Sequence, residues 1–274
     1  MSFDITLSPS VSEISITPGN KFILAFNITN NTNNELTLNS SVDTWLPRGN
    51  TGQVVYTNIY ADPNISFSLN NSDLSLGQEF VIGPAQKKQL VLKINAPPSV
   101  SRRDHYYTFF INQVGSEQSL AKIGAHIIIS TQTKQEIDLN IEKFSISPFF
   151  KDTFFKPITI NATIKNNGKQ YTKTIGKLTI TKNDIKIKEF IISPDTVLAG
   201  YNRSLRCAND KAEIIPCSLN PPFWPGIYKV SLELNSQKAV SFETAFFVFP
   251  FSIIITIGFI AFFFLIIIKK IKKQ

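Results

Sequence analysis

The chain has 274 residues, a formal net charge of +8 at pH 7, 43% hydrophobic residues, and only two cysteines and two histidines. The charge is uneven: residues 1–132 hold 8 basic and 9 acidic groups, residues 133–245 hold 16 and 11, and four lysines close the chain. Such a balance calls for neither nucleic acid nor an acidic substrate, and two cysteines without a nearby His or a second CxxC make a poor zinc site.

From the N-terminus, apolar residues alternate with period two and turn signals recur about every 8–12 residues, as in an all-β sandwich. The predicted strands of the first unit are 5–7, 12–16, 21–30, 36–42, 54–59, 80–82, 88–95, 105–113 and 122–130. Pro18-Gly19-Asn20, Gly83-Pro84 and the Asn-rich run 30–34 punctuate them, and Ala96-Pro97-Pro98 ends a strand because proline donates nothing to a ladder. A long loop is expected over Asp43–Tyr60. A polar linker, 131–138, then leads to predicted strands 141–146, 157–165, 176–182, 186–192, 204–206, 226–234 and 240–246. Asn166-Asn167-Gly168 reads as a hairpin or loop, since Asn-Gly accepts left-handed conformations. Cys207 and Cys217 flank nine residues in a loop-like stretch. In an oxidising compartment that spacing predicts a local disulfide, two unpaired thiols being the alternative.

Phe246 to Ile268 is a run of 23 residues without a charge, and Lys269, Lys270, Lys272 and Lys273 follow it. At about 1.5 Å per residue the run makes roughly 34 Å of helix, enough to cross a bilayer. The lysines are the topology signal: by the positive-inside rule they mark the cytoplasmic side and leave the body outside. Outward topology needs an export signal, yet Met1-Ser2-Phe3-Asp4-Ile5 reads straight into a strand. A removed signal, or one upstream of Met1, is therefore expected; the alternative is a tail anchor with a cytoplasmic body. The expected organisation is all-β: two tandem immunoglobulin-like β-sandwiches, 1–132 and 133–245, a transmembrane helix at 246–268 and a basic tail at 269–274.

Several stretches carry a resemblance. Ile14-Ser15-Ile16-Thr17-Pro18-Gly19-Asn20 with Phe26-Asn27-Ile28-Thr29-Asn30-Asn31, the segment Phe80–Ile94 ending in Ala96-Pro97, and His105–Phe110 form one set. Ile164–Gly168 with Gly176–Ile180, Val197–Arg203 and Pro225–Val230 form the other. Together they are similar to the WxL-interacting (DUF916-type) family of bacterial surface proteins. The resemblance implies an envelope-anchored protein that binds another surface protein or a wall polymer and has no catalysis of its own.

The chain contains no GxSxG elbow, phosphate loop, HExxH or DxDxDG motif, and its acidic residues are scattered singly. No cofactor, metal or small-molecule substrate is expected. His105 and His126 lie on predicted strands and read as structural. Two aromatic groups are candidate contact surfaces: Trp45, Tyr56 and Tyr60 in the first unit, and Phe223 and Trp224 in the proline-rich segment 221–225. The alternative for both is packing against their own sheets, or, for Trp224, the membrane interface. The expected function is a membrane-anchored binding or scaffolding protein of a bacterial envelope. An assembly chaperone offering a strand edge to client subunits, or a mechanical spacer, is the alternative.

Overall fold

The structure, a computed structural model, describes residues 3–57, 64–70, 73–115, 121–132, 137–149, 151–153, 156–209, 211–235 and 240–271. The chain divides into two units, Met1–Glu136 and Ile137–Gln274.

In the first unit the strands are β1 (Ile5–Ser8), β2 (Val11–Ser15), β3 (Lys21–Asn30), β4 (Leu36–Arg48), β5 (Gln53–Tyr56), β6 (Ser66–Leu69), β7 (Phe80–Ile82), β8 (Lys87–Asn95), β9 (Asp104–Gln113) and β10 (Lys122–Ser130). One sheet has the order β1-β3-β8-β6; the other has β2-β10-β9-β4-β5, with β7 beside β4. Alternation along each strand turns one set of side chains inward. Phe26 and Ile28 of β3 and Leu92 of β8 meet Leu38, Phe109 and Ile127 of the second sheet, all fully buried. Phe26 and Phe109 stack across the sandwich with ring centroids 4.8 Å apart. At the start of β3, Gly19 takes φ +95 in the turn Thr17–Asn20, closed by Asn20 N–H donating to Thr17 O at 3.0 Å. Proline before a positive-φ glycine is the chemistry of a type II turn.

The second unit contains β11 (Leu139–Ser147), β12 (Ile158–Asn166), β13 (Thr172–Lys173), β14 (Gly176–Lys182), β15 (Ile185–Ile192), β16 (Thr196–Val197), β17 (Asn202–Ser204), β18 (Cys207–Ala208), β19 (Ile214–Ile215), β20 (Ser218–Leu219), β21 (Gly226–Leu234) and β22 (Val240–Val248). The larger sheet runs β19-β18-β15-β14-β21-β22; β11-β12-β17 faces it, with β20 on β12, and β13 pairs β16. Ile158, Ile164, Ile180, Val230 and Val248 fill the space between them. Asn183 and Asp184 both have positive φ in the two-residue turn between β14 and β15, the conformation that matches the twist of a hairpin. Asn166-Asn167-Gly168 is not a hairpin. Its strand, β12, pairs with β11, β17 and β20, so the segment carries the chain from one sheet to the other.

Both units follow one plan. In the first, β1 pairs antiparallel with β3, the chain passes the cis Ser8–Pro9 peptide, and β2 joins the opposite sheet parallel to β10. In the second, β11 pairs with β12, the chain passes the cis Ser147–Pro148 peptide, and Asp152 makes a parallel bridge to Phe249. Each unit also buries an asparagine completely at the end of the strand that pairs with its first strand. Asn30 Nδ2 donates to the carbonyls of Asn34, Ile82 and Gly83, and its Oδ1 accepts from the N–H and hydroxyl of Thr32. Asn166 Nδ2 donates to Gln170 O and Val197 O, while its Oδ1 accepts from Gly168 N–H. The side-chain amide substitutes for a missing strand where the chain leaves the sheet.

Beyond Pro250 runs one helix, α1 (Phe251–Ile271). Its 21 residues span roughly 32 Å at the α-helical rise. Over Phe251–Lys269 it is long and apolar enough to cross a membrane, and none of it is buried in the protein. The expected start at Phe246 is corrected. Pairing of β22 with β21 continues to Gly226↔Val248, and Phe246 and Val248 point into the core, so these apolar residues are strand.

Candidate interaction surface

The expected loop over Asp43–Tyr60 is instead the end of β4 folded back on β5, with Trp45 opposite Tyr56. This hairpin covers the outer face of β9. Trp45 is buried, 5% exposed, donates Nε1–H to Tyr107 O at 2.8 Å and packs on the rings of Tyr106 and His126. It is therefore not a contact anchor. Tyr56 is 41% exposed and rests edge-on against Phe110, and the Lys122 ammonium lies over both rings. Tyr60 falls outside the described residues. In the second unit Phe223 is buried, whereas Trp224 is 79% exposed. The aromatic pair thus splits: Phe223 closes the core and Trp224 faces out.

Cys207 and Cys217 are joined, with Cα atoms 5.2 Å apart. The bond ties β18 to the segment before β20 and buries both sulfur-bearing residues. Beside it, the Asp195 carboxylate is held by Arg206 Nε at 2.7 Å and by Arg206 Nη2. That hydrogen-bonded carboxylate raises the Arg206 pKa. Arg203 Nη2 lies 3.7 Å from the same carboxylate, and the three side chains clamp the irregular segments between β15 and β18. His105 lies 3.0 Å from Ser101 O through Nε2. His126 bonds Thr108 through Nδ1, and burial lowers its pKa. Each histidine serves a strand. Among the described residues no group of three His, Cys, Asp or Glu side chains converges to hold a metal ion. Lys269 lies exposed at the end of the helix, while the side chains of Lys270, Lys272 and Lys273 are outside the described residues.

The sheet edges differ in a way that sequence patterning did not separate. In the first unit the edge strands β1, β2, β5 and β6 are four or five residues long. In the second, nine-residue β11 carries a register shift between Ile141 and Lys143, and a bulge of this kind disfavours a new partner strand. The opposite edge of the larger sheet ends in the two-residue strands β18 and β19. β22 is different. It is nine residues long, pairs with β21 in unbroken register from Gly226↔Val248 to Leu234↔Val240, and has no proline. Among the described residues its other edge is unpaired until the bridge at Phe249. About half of its backbone N–H and C=O groups therefore point away from the sheet. Ser241, Glu243 and Ala245 are exposed on its outer face, and Phe242 of the inner face packs on Phe144 of β11, with rings 4.6 Å apart.

No family model and no curated relative matches the chain. Solved structures are similar to it at low identity. The class 5 fimbriae chaperone CfaA is 12% identical over 90% of this chain and 100% of its own, with a TM-score of 0.44. The CsuC–CsuE chaperone–tip adhesion subunit complex of Acinetobacter baumannii Csu pili matches at 12% identity over 88% and 97%, TM-score 0.39. The Salmonella enterica SafA pilin in complex with the SafB chaperone matches at 10% identity over 90% and 97%, TM-score 0.39.

Proposed function

We propose that the chain is a membrane-anchored, non-enzymatic protein of a bacterial envelope that takes an extended segment of a protein partner onto the free edge of β22. One observation carries this: β22 is the single long, regular, proline-free edge strand among the described residues. Natural sheets shorten, bulge or charge such edges unless pairing is wanted. Strand addition would draw affinity from backbone hydrogen bonds and selectivity from alternate side chains. On β22 those side chains are Ser241, Glu243, Ala245 and Phe247, so a matching segment is apolar near the membrane and basic opposite Glu243.

The outward orientation rests on the apolar helix followed by lysines and on the disulfide, which favours an oxidising compartment. With Trp45 and Phe223 buried, a wall-polymer contact would be left to Tyr56 and Trp224. A chaperone that releases its client and a scaffold that keeps it would use the same edge. The resemblance to the WxL-interacting family, which implies a surface protein or a wall polymer, is compatible with a surface protein as that partner. A photo-cross-linking residue placed at Ser241, Glu243 or Ala245 in intact cells tests the reading, with Thr179 on β14 as control. Adducts with one protein from the β22 positions alone support it. An adduct that forms early but no longer forms when irradiation is delayed through a chase marks a chaperone, and one that still forms marks a scaffold. Surface-exposed protein without β22-specific adducts refutes strand addition, and resistance to protease added to intact cells refutes the outward orientation.

A further inference from the structure

The junction between β22 and α1 is short and rigid. Only Phe249 and Pro250 separate strand from helix. Phe249 N–H donates to Lys151 O at 3.0 Å. The Asp152 carboxylate accepts from both the backbone N–H and the hydroxyl of Ser252, each at 2.8 Å, in the first turn of α1. A carboxylate on that N–H caps the helix and complements its positive end. The unit is therefore fixed to the helix, not hung from it by a tether.

Around this junction large apolar side chains are left in the open. Phe247 is 56% exposed, and Ile227, its direct partner on β21, is 61% exposed. Trp224, three residues before Ile227, is 79% exposed, and Phe149, two residues before Lys151, is 86% exposed. The rings of Phe247, Phe249 and Phe251 follow one another at 5.9 and 4.8 Å, a continuous path from strand to helix. Two ammonium groups lie in the same rim. Lys151 Nζ bonds Phe149 O at 3.2 Å, and Lys182 Nζ bonds Trp224 O and Pro225 O at 3.3 and 2.9 Å.

We propose that this rim, centred on Trp224, Phe149, Ile227 and Phe247 with Lys151 and Lys182, is a lipid-docking surface seated in the headgroup layer of the membrane that α1 crosses. The inference rests on α1 being a membrane span. The occupant follows from continuity: the exposed rings run into the apolar helix, and the clamp holds them at its mouth. Tryptophan and other amphipathic rings favour the bilayer interface, and adjacent lysines favour anionic headgroups. Seating the rim there would hold the second unit at a fixed height, with the β22 edge rising from the lipid surface.

The test uses the full chain in vesicles of phosphatidylcholine and phosphatidylglycerol, with Trp45→Phe leaving Trp224 as the one tryptophan. Lipids brominated near the glycerol should quench at least about half of the Trp224 emission and shift it to the blue, as expected of an interfacial ring. Lys151→Gln with Lys182→Gln should reduce that quenching in anionic but not in neutral vesicles. Vesicle-bound protein with unquenched, water-like Trp224 emission overturns the rim while leaving the anchor intact. Protein that fails to float with vesicles overturns both.

Discussion

Replacing Asn30 with aspartate keeps the side chain's shape and reverses half of its chemistry. The oxygen that accepts from Thr32 survives, but the amide that faces the carbonyls of Asn34, Ile82 and Gly83 becomes a second oxygen. Asn30 is 0% exposed, so water does not replace what is lost. Two buried amide hydrogens lose their roles at about 1–3 kcal/mol each once carbonyls are left unpaired. A buried carboxylate among carbonyl dipoles adds to this, giving roughly 3–5 kcal/mol at neutral pH. For a unit of this size that lowers the melting midpoint by roughly 10–20 °C. The carboxyl's folded pKa is raised above its unfolded value of about 3.9 by desolvation and the facing carbonyls. The variant's deficit is therefore smallest below about pH 4, where the acid donates one hydrogen bond. It grows by about 1.4 kcal/mol per pH unit between the two pKa values and then levels off. Thermal unfolding followed by the fluorescence of buried Trp45, in a Trp224→Phe background, reads the first unit alone. Asn30→Ala should cost about 2–3 kcal/mol with no such pH dependence. An Asn30→Asp protein as stable as its parent at pH 7, or equally impaired at pH 4 and pH 8, would refute the reasoning.

A Cβ at position 176 would meet the Glu233 carbonyl oxygen and lie 2.9 Å from Leu234 Cα. Gly176→Ala should therefore force β14 away from β21 and lower the urea midpoint of the second unit by about 2 kcal/mol or more in stability. An unchanged midpoint would show that the strands part more easily than their register implies. Opening the ten-residue link with Cys207→Ser and Cys217→Ser together should cost about 2–3 kcal/mol, and dithiothreitol should have no effect on that double variant. Equal unfolding midpoints for the parent protein with and without reductant would contradict it. Burial depresses the His126 pKa, so the folded first unit prefers the neutral ring. The stability this provides is present above the unfolded pKa of about 6.5 and is lost as pH falls through the folded value. Between pH 7.5 and 5.5 the Trp45-monitored midpoint should fall in the parent and fall less in His126→Gln.

Where turn chemistry and period-two patterning coincide, strands were legible in advance. Lys21–Asn30 after Pro-Gly-Asn, Phe80–Ile82 before Gly-Pro, and Gly226–Leu234 after Pro225 match to the residue. Ser66–Leu69 alternates Ser-Phe-Ser-Leu, but a strand of four residues is too short for that period to stand out from the Asn- and Ser-rich chain around it. The two-residue strands around the disulfide are too short for any periodic signal. Burial of Trp45 stood only as the alternative to surface exposure, and local sequence could not choose between them. It follows from the β4–β5 hairpin folding over the outer face of β9, which local composition does not encode. The helix start was misplaced because an apolar run serves a core-facing strand as readily as a membrane helix. The ladder with β21 decides which. Of the contact candidates, Trp224 emerged exposed and Phe223 buried, a distinction set by which neighbour turns inward at the strand entrance.

The amino-acid sequence by itself determined the all-β character, the two-unit length, the apolar C-terminal helix and the cysteine pair close enough to join. These depend on periodicity, composition and spacing, which survive without knowledge of the fold. Only the tertiary structure decided which sheet edge stays open, which aromatics remain exposed and how the second unit is clamped to α1. Those properties depend on pairing between distant segments, such as Asp152 with Ser252 and Gly226 with Val248. Such pairings are settled by the competition for burial and hydrogen bonds across the whole unit.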